Sequence, residues 1–169
     1  AANPVQAFID PASGSLKGPA AELSAELASR LKVPLEIKGA NGPAGVIEAV
    51  KSGAADVGFV AFDPVRAAEV DFSQTYSLAQ NSYIVPESSS IRSVADIDKP
   101  GVRIAVAERD AGDFFLTRTL KSVEIRRNPG GRLEVGLQWM SAGEVQAYAA
   151  NRQRLAEFVK RTPGIRLLP

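Results

Sequence analysis

The strongest constraint on this chain is an alternation that runs almost unbroken along it: short β-branched runs, each followed by a stretch of helical periodicity. The strand runs are VQAF at 5–8, PLEIK at 34–38, DVGFVA at 56–61 and NSYIVP at 81–86. They continue with VRIAVA at 102–107, VEIRR at 123–127, QAYAA at 146–150 and GIRLL at 164–168. Helical patterns occupy 19–31, 43–52, 64–70, 93–98, 111–120, 131–142 and 152–161. In the first of these, Leu23, Leu27 and Leu31 recur every four residues beside Ala20 and Ala28, predicting one apolar stripe that leaves Glu22, Glu26 and Arg30 to water. Val46, Ile47 and Val50 repeat the scheme, and Gly53 suits a left-handed cap after them. Strand–helix–strand repetition predicts an α/β fold, a mostly parallel sheet with helices on its faces.

Composition narrows the chemistry. The 169 residues include no cysteine and no histidine, which removes the thiolate nucleophile, sulfur-ligated zinc and the commonest general base and metal ligand. There is no Gly-rich dinucleotide fingerprint, phosphate loop, nucleophile elbow or metal-spaced carboxylate set, so no cofactor and no metal are called for. Twenty basic against 19 acidic residues argue against a nucleic-acid partner. No apolar run approaches the ~20 residues that span a bilayer. The opening AANPVQAFID lacks the charged segment and apolar core of a signal peptide, as expected of a mature or trimmed chain or of one that never had a leader. Binding is the leading class.

Two places interrupt the alternation. Glu87-Ser88-Ser89-Ser90 is polar and aperiodic, and near Gly143–Gln146 a helix gives way to the Ala-rich QAYAA. Read as crossings, they divide the chain into a discontinuous lobe of 1–84 and 146–169 and a second lobe of 87–144. One continuous sheet with ordinary loops is the other arrangement the pattern allows.

Ligands of parallel α/β sheets bind beyond the carboxyl ends of strands, where helix amino termini converge. After DVGFVA, Asp63 reads as a helix N-cap with Pro64 in the first turn, and Arg66 as a planar clamp for a carboxylate. The plainer alternative is an Arg on a solvated face, paired with Glu69 or Asp71. After VRIAVA, Asp110 is either a cap for the helix entering Phe114 and Phe115 or an acceptor for a ligand ammonium. After QAYAA, Asn151 is a cap or a neutral contact in a cleft. Asn3-Pro4, Phe8, Tyr76, Tyr83 and Tyr148 are candidate cleft walls, while Trp139 and Met140 read as packing.

The order of GAADVGFVAFDPVRAAEVDFSQTY (53–76), SYIVPESSSIRSVADIDKPGVRIAV (82–106) and TRTLKSVEIRR (117–127) resembles the bacterial extracellular solute-binding proteins of family 3. Those are the type-2 periplasmic binding proteins of polar amino-acid ABC importers. Gly18–Ser29 looks like that family's first helix and 146–155 like its segment recrossing the hinge. The likeness begins after most of the family's first strand and stops at Pro169, so the expectation is a pattern truncated at both ends.

The resemblance implies two α/β lobes with hinge strands near 82–86 and 146–150, closing on a small carboxylate-bearing solute, amino acid or related. It implies a periplasmic or membrane-anchored extracellular location, a membrane importer permease as partner, a monomer, and no enzymatic activity. Mapped onto this chain, Arg66 would hold the carboxylate, Arg109, Asp110 and Ala111 would add hydrogen bonds from a second-lobe helix terminus, and position 151 would hold the ammonium. Phe62 and Tyr76 would wall the cleft beside Asp63. Position 151 is Asn rather than an acid, position 110 is Asp where a small hydroxyl residue is common, and Val60 and Ala61 replace expected hydroxyls. A dehydratase-type enzyme on the same scaffold, or the sensing domain of a receptor, is the alternative function.

Overall fold

The computed structural model describes residues 6–40 and 42–169. By its internal contacts the chain falls into two units, Ala1–Ser73 and Gln74–Pro169.

In the first unit, β1 (Phe8–Ile9) and β2 (Leu16–Lys17) form an antiparallel hairpin, its turn held by Asp10, which accepts from the Ala12 N–H at 3.0 Å and the Ser13 hydroxyl at 2.8 Å. The helix α1 (Pro19–Leu31) follows Gly18, whose φ of 111° and close approach to the Gln6 carbonyl oxygen exclude a side chain there. Next come α2 (Gly42–Lys51) and the single-turn α3 (Pro64–Ala67), shorter than the 64–70 pattern.

Several expectations for this unit change. The run 5–8 contributes only Phe8 to a strand; its first residue, like Asn3 and Pro4, lies outside the described residues. The runs 34–38 and 56–61 carry no strand among the described residues. On α1 the buried residues are Ala20, Ala21 and Ala28, whereas Leu23, Leu27 and Leu31 are exposed at 42%, 41% and 63%. The apolar stripe exists, but the close packing is made through the small residues beside it.

The second unit is built on one mixed sheet of five strands. They are β3 (Asn81–Pro86), β4 (Arg103–Ala107), β5 (Glu124–Asn128), β6 (Ala147–Asn151) and β7 (Ile165–Leu167), in the order β5-β4-β6-β3-β7. The β5–β4 and β4–β6 ladders are parallel, while β3 runs antiparallel to both β6 and β7. Its helices are α4 (Ala111–Thr119), α5 (Leu133–Ser141) and α6 (Arg152–Lys160); the 93–98 pattern is a single 3-10 turn, Val94–Asp96.

Alternation along the strands separates two cores. Tyr83, Val85, Ile104, Val106, Ala147 and Ala149 pack with Leu116 of α4 on one side. Ile84, Ala105, Tyr148 and Ala150 pack with Leu133 and Met140 of α5 and Leu155 and Phe158 of α6 on the other. Tyr83 and Tyr148 are therefore core residues, and burial pushes the Tyr83 phenol up to about 12. The strand β6 pairs with both β3 and β4, and β7 pairs with β3, so the last strands of the chain share one sheet with residues 81–86 and 103–107.

Candidate functional site

In the first unit the turn at 61–66 forms as its sequence dictates. Asp63 is extended, caps α3, and accepts the Val65 N–H at 2.9 Å, with Pro64 occupying a first-turn position that needs no donor. Asp63 and Arg66 are buried, at 3% and 5% exposure, and the Arg66 Nη1 donates to the Ala61 carbonyl at 2.9 Å. A guanidinium withdrawn this far from water needs hydrogen-bonded company, which the turn begins to supply. Phe62 stands mostly exposed, edge-on to Phe72 with ring centroids 5.3 Å apart. Tyr76, also more than half exposed, belongs to the second unit, and desolvation raises its phenol.

In the second unit, sheet topology gathers the other candidates. The parallel neighbours β4 and β6, with Val106 opposite Ala149, end at the same edge, where each hands the chain to a helix. Asp110 caps α4, its Oδ1 accepting the Ala111 N–H at 2.8 Å; Asn151 caps α6, its Oδ1 accepting the Arg154 N–H at 3.1 Å. Both oxygens thus satisfy donors that the first turn leaves open. Arg109 sits in the left-handed region at φ 59°, and its N–H donates to Asp113 Oδ2 at 2.9 Å. Asp113 is buried; it also accepts from the Thr117 hydroxyl at 3.2 Å and pairs with Arg127 at 3.0 Å. That network fixes the path of the 108–111 turn.

Residues outside the sequence-based set complete this edge. Asn81 begins β3 directly opposite Asn151. Gly112 comes close to it, since a Cβ there would stand 3.9 Å from Asn81 Nδ2. Beside them opens a groove of about 770 Å³ lined by Gln80, Asn81, Ser82, Phe115, Arg152 and Pro169. Antiparallel pairing of β3 with β6, a long-range fact, brings 80–82 there. The signal for Arg152 was local: it directly follows the candidate Asn151.

The sequence profile of the bacterial extracellular solute-binding proteins, family 3, matches residues 1–163. The chain belongs to that family. Among solved structures this family member is similar to an ancestral arginine-binding protein bound to arginine, at 24% identity and TM-score 0.76, covering 99% of this chain and 75% of the other. It is also similar to an ancestral amino-acid-binding protein, a precursor of cyclohexadienyl dehydratase, at 23% identity and TM-score 0.73, covering 99% and 73%. A third is a putative ABC-transporter binding component from Wolinella succinogenes complexed with lysine, at 16% identity and TM-score 0.74, covering 96% and 71%. No curated protein sequence matches. The fold is the α/β type-2 periplasmic-binding fold of these solute-binding proteins. No helix among the described residues is long and apolar enough to cross a membrane.

Proposed function

We propose that this solute-binding family member is the receptor component of an ABC importer that takes a small carboxylate-bearing solute, an amino acid or a related acid, in the periplasm or anchored outside the cell. The observation that carries the reading is the convergence of the α4 and α6 amino termini on one edge of the parallel strands, beside an open groove. Helix amino termini present N–H donors and a partial positive charge, which suits an anionic group. Arg66, buried in the first unit, is by itself also a proposed carboxylate contact. In this reading Asp110 and Asn151 act first as caps that shape the turns, and Phe62 and Tyr76 offer exposed aromatic surface.

The test is a thermal-shift screen of the purified chain against amino acids and small organic acids, followed by calorimetric titration of each hit. A ligand that binds the folded state raises the melting temperature by mass action, about 2.7 kcal/mol at a hundredfold excess over Kd. Binding without turnover is the expected result. Failure of every carboxylate-bearing solute to bind refutes the proposal, and conversion of a bound acid into product refutes its non-enzymatic part.

A further inference from the structure

One charged side chain lines the groove on the second unit, and it is positive. Of its polar lining side chains, Gln80, Asn81 and Ser82 are neutral and Arg152 is cationic; no side-chain carboxylate lines it among the described residues. Arg152 is held from three directions. Its backbone N–H donates to the Gln80 carbonyl at 2.8 Å, and its Nη1 donates to the Leu168 carbonyl at 2.8 Å and lies 3.5 Å from Ser82 Oγ. Ser82 is itself buried and donates to the same Leu168 carbonyl at 3.1 Å. One edge of the guanidinium is thereby tied to the protein. The other edge, Nε with Nη2, makes no hydrogen bond or ion pair among the described residues, and it is the planar two-pronged donor that matches a carboxylate.

The neighbours of Arg152 reinforce that polarity. Arg152 is the first residue of α6, so the positive end of the helix dipole adds to its own charge. Asn151 has committed its carbonyl oxygen to the Arg154 N–H, which leaves its NH₂ as a donor. Asn81 presents its amide opposite, near Gly112. The acid at the head of α4, Asp110, is turned onto the Ala111 N–H. A cationic ligand side chain such as that of arginine or lysine, the ligands of two similar structures, would meet like charge here.

We propose that Arg152 grips a second carboxylate of the solute, so that the solute is an acidic amino acid or a related dicarboxylic acid; this rests on the solute-binding reading above. The experiment titrates the chain with L-glutamate, L-aspartate, succinate and glutarate, and with the neutral isosteres L-glutamine and L-asparagine and the cation L-arginine. At least one acid should bind tenfold or more tightly than its amide. R152Q should lose at least tenfold for that acid and less than threefold for the amide, while R152K keeps the preference for the acid. The acid-over-amide ratio of the wild type tests the idea even where R152Q fails to fold. Equal or tighter binding of glutamine, asparagine or arginine, or unchanged acid affinity in a folded R152Q, overturns the inference and leaves the solute-binding reading standing. Failure of all these probes together with the wider screen overturns both.

Discussion

Gly136 of α5 packs against the ring of Tyr148 so closely that a Cβ there would lie 1.9 Å from Cδ2, 2.4 Å from Cε2 and 2.8 Å from Cγ. The ring has nowhere to go. Tyr148 is fully buried, its hydroxyl accepts from Asn128 Nδ2 at 3.3 Å, and β6 is laddered to β4 on one side and β3 on the other. Gly136→Ala therefore has to lift the helix from the sheet, since carbon atoms rest about 3.5–4 Å apart. That movement draws Leu133 and Met140 away from the core they share with Tyr148. Overpacking costs about 1–3 kcal/mol, and a collision with a ring locked in a central strand belongs at the upper end. Alanine returns about 0.8–1.0 kcal/mol of helix propensity, which leaves a net loss of about 2 kcal/mol. Urea unfolding followed by the fluorescence of Trp139, the single tryptophan and a residue of the same helix, reads the change directly. The contrast is Gly45→Ala in α2, where a Cβ meets only Ala40 at ordinary distances of 3.5 Å and more, and propensity should raise stability by up to about 1 kcal/mol. A G136A protein as stable as the wild type would refute the packing argument.

Three further outcomes are expected. Arg66→Ala should weaken the solute identified by the screen at least about tenfold by calorimetry, the loss typical of an unpaired partner in a buried charge contact; unchanged affinity removes Arg66 from the site. The Lys99 ammonium first, then the Arg92 and Ser93 N–H groups and the Ser93 hydroxyl, hold the Asp96 carboxyl well below the ordinary carboxylate value of 3.8. Because the folded value is depressed, this contribution is complete above the unfolded value and is lost as pH falls through the folded one. The stability difference between wild type and D96N should accordingly stay level at neutral pH and shrink below about pH 4, as read by urea titrations across that range. Leu27→Gln should change stability by no more than about 0.5 kcal/mol in the same assay, because the exposed leucine face of α1 is not where that helix packs.

How far the site was legible in the chain depends on the range of the interactions involved. Asp63, Asp110 and Asn151 were readable as caps because each answers to donors one to three residues downstream. The two tyrosines at 83 and 148 were ambiguous: an aromatic in a strand faces a core or a cleft according to what lies on that side of the sheet. Arg152 stood next to a named candidate, but its value comes from Ser82 and Leu168, 70 and 16 residues away.

The amino-acid sequence alone determined the α/β class, the places where helices begin and most of the strands, since propensity, capping and apolar period are properties of neighbouring residues. Only the tertiary structure decided that 34–38 and 56–61 carry no strand among the described residues, that the alanine face of α1 is buried instead of its leucines, and that β6 joins β3 and β4 while β7 joins β3. Each of these depends on a partner distant along the chain. A hydrogen-bond ladder or a buried face has two sides, and a local pattern describes one of them.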